Sequence, residues 1–200
     1  RLENLINTLK PLKNSVNLEK LKCALDYQAE GSAFWTGKHG PMLIAEIGGN
    51  FTTFDQAKRL IDDAKDCGVD AVKLQTFKAH THVSKYALFN MENTGLTSQF
   101  NLLKTLEIDE KLHREIFSYA ESKGLDWFST PSHETDVDLL ENCDVGAHKI
   151  GSDDAVNLPF LRYVARTGKP ILLSTGMCTL EEVRQSVSVL LGEGNDRIIL

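Results

Sequence analysis

The sequence has no run of about 18 apolar residues, so nothing in it reads as a membrane-spanning helix. It has no excess of positive charge. Twenty-two Lys and Arg stand against 28 Asp and Glu, a formal net charge of −6. That balance argues against a general nucleic-acid binder, which recruits phosphates with a basic surface. There is no Cys-x-x-Cys pair. The four cysteines, Cys23, Cys67, Cys143 and Cys178, lie far apart, which favours free thiols in a reducing, cytoplasmic compartment over a disulfide framework or a zinc site. Neither Gly-x-Gly-x-x-Gly nor a Walker-type phosphate loop occurs, so nucleotide-binding open sheets lose support. The first 20 residues mix Lys, Asn and Leu without the apolar block of a signal peptide. The chain begins at Arg1 rather than Met, as a trimmed, processed or incomplete sequence would.

What is present is the composition of a globular domain, 42% hydrophobic and 25% charged. Two hundred residues suffice for a sizeable core, yet fall short of the roughly 250 typical of an eight-fold α/β barrel. From about residue 42 short apolar runs alternate with amphipathic segments. Strands are expected at 42–47, 71–77, 125–129, 146–151, 170–174 and 197–200. Helices are expected at 55–67, 109–122, 134–142, 158–166 and 179–191. In the first helix Ala57, Leu60, Ile61 and Ala64 fall on one stripe. In the last, Thr179 and Glu182 form a capping-box pattern. Such alternation implies parallel strands with right-handed crossovers; a barrel and an open doubly wound sheet both satisfy it. Residues 78–107 form one long connection, the kind that usually serves as a lid or binding loop. Residues 1–32 read as an extension of unknown role, with a helix at 18–29. Residues 34–41 read as a turn-rich entry to the first strand, so that 33–200 form the domain.

The informative positions are polar residues inside the strands. Period-2 alternation places Val72 and Leu74 on one face and Lys73 and Gln75 on the other. The apolar pair must pack on helices, so Lys73 and Gln75 point into a barrel or its mouth. Lys149 opposes Ile150 in the same way, and Glu46 lies near the end of its strand. Ser129-Thr130-Pro131, Ser152-Asp153-Asp154 and Ser174-Thr175-Gly176 all follow strand ends. Carboxyl ends of parallel strands line the active sites of such folds. Two lysines with several hydroxyls there suit a small anion such as a phosphate or carboxylate. The plainer alternative is that Lys73 only pairs with Glu46 or Asp154, because a buried lysine needs a partner. The histidines of His80-x-His82 read as solvated, His113 as an ordinary helix residue, and Cys178 as packed or capping.

Taken in order, Ile44-Ala45-Glu46-Ile47-Gly48-x-Asn50, Val72-Lys73-x-Gln75, Phe128-Ser129-Thr130-Pro131, Lys149-Ile150-x-Ser152-x-Asp154 and Leu173-Ser174-Thr175-Gly176-Met177 resemble the N-acetylneuraminate (sialic acid) synthases, a family that includes legionaminic and pseudaminic acid synthases. The similarity spans residues 34–200. It implies a (β/α)8 TIM barrel, of which this chain holds about six of eight strand units. It also implies a transferase that condenses phosphoenolpyruvate with an open-chain N-acylated amino sugar, an N-acylated hexosamine. Lys73, Thr130, Lys149, Ser152 and Ser174 would hold phosphoenolpyruvate, Gln75 and Asn50 would contact the sugar, and Glu46 and Asp154 would be the acid/base or water-positioning carboxylates. A divalent metal, Mn2+ or Mg2+, would polarise the sugar aldehyde, with ligands expected beyond Leu200; a C-terminal antifreeze-like domain, also expected beyond Leu200, would complete the site across a homodimer. Two positions depart from the family pattern. Phe51 replaces a histidine, which puts sugar contacts at that corner in question. Asp153 replaces a glycine and adds a carboxylate beside the anion site. Another phosphoenolpyruvate or sugar-phosphate aldolase, or a non-catalytic barrel used for binding, are the alternatives.

Overall fold

The computed structural model describes residues 36–37, 40–91 and 95–200; the expected 18–29 helix and the 1–32 extension lie outside the described residues. Six strands form one parallel sheet: β3 (Ile44–Glu46), β4 (Ala71–Thr76), β7 (Asp126–Pro131), β8 (His148–Ile150), β9 (Ile171–Leu173) and β10 (Ile198–Ile199). Their spatial order follows the chain, β3-β4-β7-β8-β9-β10, with every pair parallel. This order decides between the two topologies left open by the sequence. A doubly wound sheet reverses its winding at a switch point. Here the winding never reverses, so right-handed crossovers carry all the intervening helices to one face. The other face is covered only by the sheet's own curl, and the result is a half-barrel.

Five principal helices cover the outer face: α1 (Phe54–Asp66), α4 (Glu110–Ser122), α5 (Glu134–Asn142), α6 (Leu158–Ala165) and α7 (Leu180–Gly192). Their starts are encoded by caps. The Thr53 side chain accepts from the Gln56 amide, and Asp109 from Leu112. The reciprocal Thr179–Glu182 capping box is fully formed. The α1 stripe packs as its spacing requires, with Ala57 and Ile61 wholly buried and Leu60 partly so. One apolar cluster joins α1 and α4 to Val72 and Leu74 of β4; a second joins Phe160, Leu161 and Val164 of α6 to Ile171 and Leu173 of β9.

The entry at 34–41 contains a small antiparallel ladder, β1 (Thr36–Gly37) with β2 (Gly40–Pro41). The long 78–107 connection carries structure of its own: α2 (Ala79–His82), a hairpin of β5 (Leu88–Met91) with β6 (Gly95–Ser98), and α3 (Gln99–Thr105). Its neck is closed by two hydrogen bonds. The Ala79 amide donates to Glu107 Oε1 and Lys78 Nζ to the Ile108 carbonyl, each at 2.8 Å. A two-stranded hairpin is marginal by itself, so this neck holds the excursion to the end of β4. Removing a large side chain from the core should be costly: Ile61→Ala is expected to lower unfolding free energy by about 2–5 kcal/mol, read as a lower denaturant midpoint at unchanged m-value.

Candidate functional site

The inner face of the sheet carries the polar residues. Across β3, β4 and β7 the register sets Glu46 beside Lys73 and Lys73 beside Phe128, with Gln75 beside Thr130 one step further along. Lys73 Nζ forms an ion pair with Glu46 and donates to Thr130 Oγ1 at 3.0 Å. Its side chain is 13% exposed, that of Glu46 41%. Burial, and then the charge of Lys149, push the Lys73 ammonium down to about 8; the Glu46 carboxylate acts in the opposite sense, since an opposite charge favours the ionised form. The other oxygen of Glu46 accepts the Gly48 amide at 2.8 Å. Glycine is required there by space: a Cβ on Gly48 would stand 2.5 Å from the Gln75 nitrogen and 2.6 Å from Glu46 Oε1. The Ile44–Gly48 segment therefore lies against β4 closely enough to present Glu46 to Lys73.

Two strands on, Lys149 Nζ donates to Ser174 Oγ at 2.5 Å and to the Ile150 carbonyl at 2.6 Å. Burial lowers its pKa, partly opposed by Asp153. Ser152, Asp153 and Asp154 follow in a turn closed by the Asp154 amide on the Gly151 carbonyl. Asp154 is half-buried; burial raises its carboxyl, and the charge of Asp153 raises it further. Asp153 folds back over Gly151. Glu46, Lys73, Thr130, Lys149 and Ser174 thus converge on the inner face in two linked groups, with Ser152 and Asp154 beside the second. Gln75 and Asn50 stand at the exposed margin, where Asn50 Nδ2 donates to the Gly48 carbonyl at 3.2 Å.

Phe51 does not stand at that corner. It is 4% exposed and belongs to the α1–α4 cluster behind the sheet, so its ring is a core residue rather than a replacement sugar contact. His82 is exposed, as its loop position suggests, but its ring stacks on Phe77 at 5.5 Å. His113 is wholly buried and bonds to Thr76 on β4, a connection with no sequence signal beyond the consecutive hydroxyls of Ser129 and Thr130. Cys67, Cys143 and Cys178 are free thiols; Cys23 lies outside the described residues. Cys178 is packed, its Sγ 3.8 Å from the Ser152 carbonyl. Among the described residues no group of three His, Cys, Asp or Glu side chains is placed to hold a metal ion. Both oxygens of Glu46 are committed, one to Lys73 and one to the Gly48 amide, so these residues do not by themselves fit a divalent cation.

Fold and lysine pair together define a class: an α/β-barrel protein with a cationic cluster at the carboxyl ends of its strands. The model of the NeuB family matches residues 60–200, and the chain belongs to that family. It is 37% identical over 161 residues to N,N'-diacetyllegionaminic acid synthase of Campylobacter jejuni, covering 78% of this chain and 48% of that protein. It is 32% identical to mouse N-acetylneuraminate-9-phosphate synthase, over 77% and 44% of the two chains. Among solved structures, the sialic acid synthetase of Leptospira borgpetersenii superposes with a TM-score of 0.69 at 25% identity, over 80% of this chain and 54% of that one. The 3-deoxy-D-arabino-heptulosonate 7-phosphate synthase of Thermotoga maritima, at 18% identity and TM-score 0.59, shares the fold. The chain spans about half the length of the curated relatives it matches.

Gly48 offers a direct check on this geometry. Gly48→Ala is expected to displace Glu46 or Gln75 and to destabilise by about 1–3 kcal/mol, as overpacking does. Thermal melting reads the loss, and the Glu46–Lys73 pair should be absent from a crystal structure of the variant.

Proposed function

We propose that the protein acts as a sialic-acid-type synthase, condensing phosphoenolpyruvate with an open-chain N-acylated amino sugar to give a nonulosonic acid and phosphate. Membership of the NeuB family supports this reading. The observation that carries it to particular residues is the pair of part-buried lysines on one inner face, each hydrogen-bonded to a hydroxyl at a strand end. Phosphoenolpyruvate carries a carboxylate and a phosphate. Two fixed ammonium groups with Thr130, Ser152 and Ser174 match that distribution through charge-assisted hydrogen bonds.

In the proposed reaction C3 of phosphoenolpyruvate attacks the sugar aldehyde carbon. Water adds at C2, and the C–O bond to the phosphate breaks. Lys73 and Lys149 neutralise the anion and orient C3 toward the aldehyde. Gln75 and Asn50, at the margin, take the sugar. Asp154, whose carboxyl is raised by burial and Asp153, is the carboxyl that delivers a proton to the aldehyde oxygen. Glu46, held by Gly48 and Lys73, orients the water and takes its proton. A divalent metal, Mn2+ or Mg2+, would act as Lewis acid on the aldehyde, with ligands supplied from outside the described residues. A homodimeric, cytoplasmic enzyme is part of the same proposal. A non-catalytic barrel is the competing reading. It is favoured by Asp153, whose negative charge acts on Lys149 where an anion would sit.

Phosphoenolpyruvate titration of the complete protein by calorimetry distinguishes the two. The synthase reading expects binding, its loss in Lys149→Ala, and sugar-dependent phosphate release with manganese and an N-acylated hexosamine. Absence of phosphoenolpyruvate binding by the unsubstituted protein would sink it.

Lys73 adds a pH dependence whose sign is fixed. Free, its ammonium titrates at about 8; a bound anion favours the charged form and raises that value. Affinity should therefore hold up to pH 8 and decline above it, with protons taken up on binding near pH 9. Titrations in buffers of different ionisation enthalpy read the uptake directly.

A further inference from the structure

One buried polar chain lies on the helix-facing side of the sheet, directly behind the site. His113 is wholly buried in α4, and its Nδ1 lies 2.8 Å from the Asp109 carbonyl one turn earlier. A carbonyl only accepts, so Nδ1 carries the ring proton. Nε2 then accepts from the Thr76 hydroxyl at 2.9 Å. Having given its one proton, Thr76 Oγ1 accepts from Ser129 Oγ at 2.6 Å. The chain runs in one direction, from Ser129 to Thr76 to His113 to the Asp109 carbonyl. Burial lowers the His113 pKa, which keeps the ring neutral as this arrangement requires; Lys78 adds to that effect, and the charges of Asp109 and Glu110 oppose it.

The chain joins both strands at the ends that matter. Thr76 is the last residue of β4 and directly follows Gln75; Ser129 directly precedes Thr130, and Gln75 and Thr130 are partners in the ladder. Because side chains alternate, each strand shows one hydroxyl or amide to the site and the next hydroxyl to the brace. Ladder hydrogen bonds lie within the sheet and resist sliding and separation of strands. They resist movement perpendicular to the sheet only weakly. The Thr76–His113 bond runs in that perpendicular direction and ties the end of β4 to α4, and Ser129, bonded to Thr76 from the neighbouring strand, joins β7 to the same anchor. Apolar side chains would fill the same space without the cost of burying four polar atoms. Their saturated bonding yields a fixed geometry instead.

We propose that His113 is a positioning residue, which through Thr76 and Ser129 sets the height of Gln75 and Thr130 in the anion and sugar site. The proposal rests on the phosphoenolpyruvate reading above. Its test is calorimetric titration of the complete protein with phosphoenolpyruvate, well below the melting temperature of each variant. Thr76→Val and Ser129→Ala remove brace hydroxyls without altering a group that faces the site. Each should raise the phosphoenolpyruvate Kd about tenfold, since a displacement of an ångström or less at a binding group is felt on that scale. Thr76→Ser restores the hydroxyl and should restore the affinity. Asn195→Ala is the stability control: it removes hydrogen bonds to the Ala165 and Lys169 carbonyls at the opposite end of the sheet, and should lower the melting temperature with an unchanged Kd. Should Thr76→Val fail to fold, Ser129→Ala and Thr76→Ser decide. Unchanged Kd in Ser129→Ala, or an equal loss of affinity in Asn195→Ala, would overturn the positioning role. An unsubstituted protein that binds no phosphoenolpyruvate, indistinguishable from Lys149→Ala, overturns the reading of the site and the positioning role with it.

Discussion

The ammonium of Lys73, held inside a parallel sheet, is the constraint on which the rest of the site depends. Removing a charge from water is expensive unless partners replace the hydration shell. Here the partners come from the two adjacent strands, Glu46 from β3 and Thr130 from β7. Both strands must flank β4 for this to happen, and they do so because the winding is monotonic. Glu46 must also be aimed, and the Gly48 amide does that only because position 48 has no side chain. One buried charge thus ties together strand order, a close backbone approach and a carboxylate orientation.

The two faces of the sheet divide the work. Val72, Leu74, Ile150, Ile171 and Leu173 bury apolar surface against the helices, the main source of stability for such a layer. The inner face sacrifices some of that burial to place lysines and hydroxyls together. The bonded group of His113, Thr76 and Ser129 is an exception on the apolar side, and it sits where the strands hand over to the functional loops. At the opposite end of β8, His148 Nε2 meets Glu141, which also pairs with Lys169. That cluster ties α5 to the sheet near the amino ends of the strands, where conserved chemistry is not expected and stability is the ordinary role.

Much of the fold was legible because local rules act strongly in this chain. The stripe of Ala57, Leu60, Ile61 and Ala64, the capping box at Thr179 and the alternation in Val72–Gln75 each specify an element or a face without reference to distant residues. The 134–142 helix has the expected bounds, and the other strands and helices differ by a few residues at most. The excursion after β4 was legible only as a long loop. Its short helices and hairpin are too brief to show a periodicity, and they are held by a neck between Lys78, Ala79, Glu107 and Ile108 that joins residues nearly thirty apart. That Phe51 is a core residue was not legible, because its neighbour Asn50 is at the margin while its own ring joins the α1–α4 cluster.

The sequence by itself determined the chemistry available: parallel α/β architecture, two lysines opposed to apolar neighbours, and hydroxyls after the strands. These follow from period and residue type, which are local properties. Only the tertiary structure decided that the winding never reverses, that Lys73 is shared between Glu46 and Thr130 while Lys149 takes Ser174, and that His113 reaches Thr76 and Ser129 behind the site. Those outcomes depend on which strands become neighbours and how closely backbones approach. Both are set by packing the whole sheet against its helices, a property that no short stretch of residues carries.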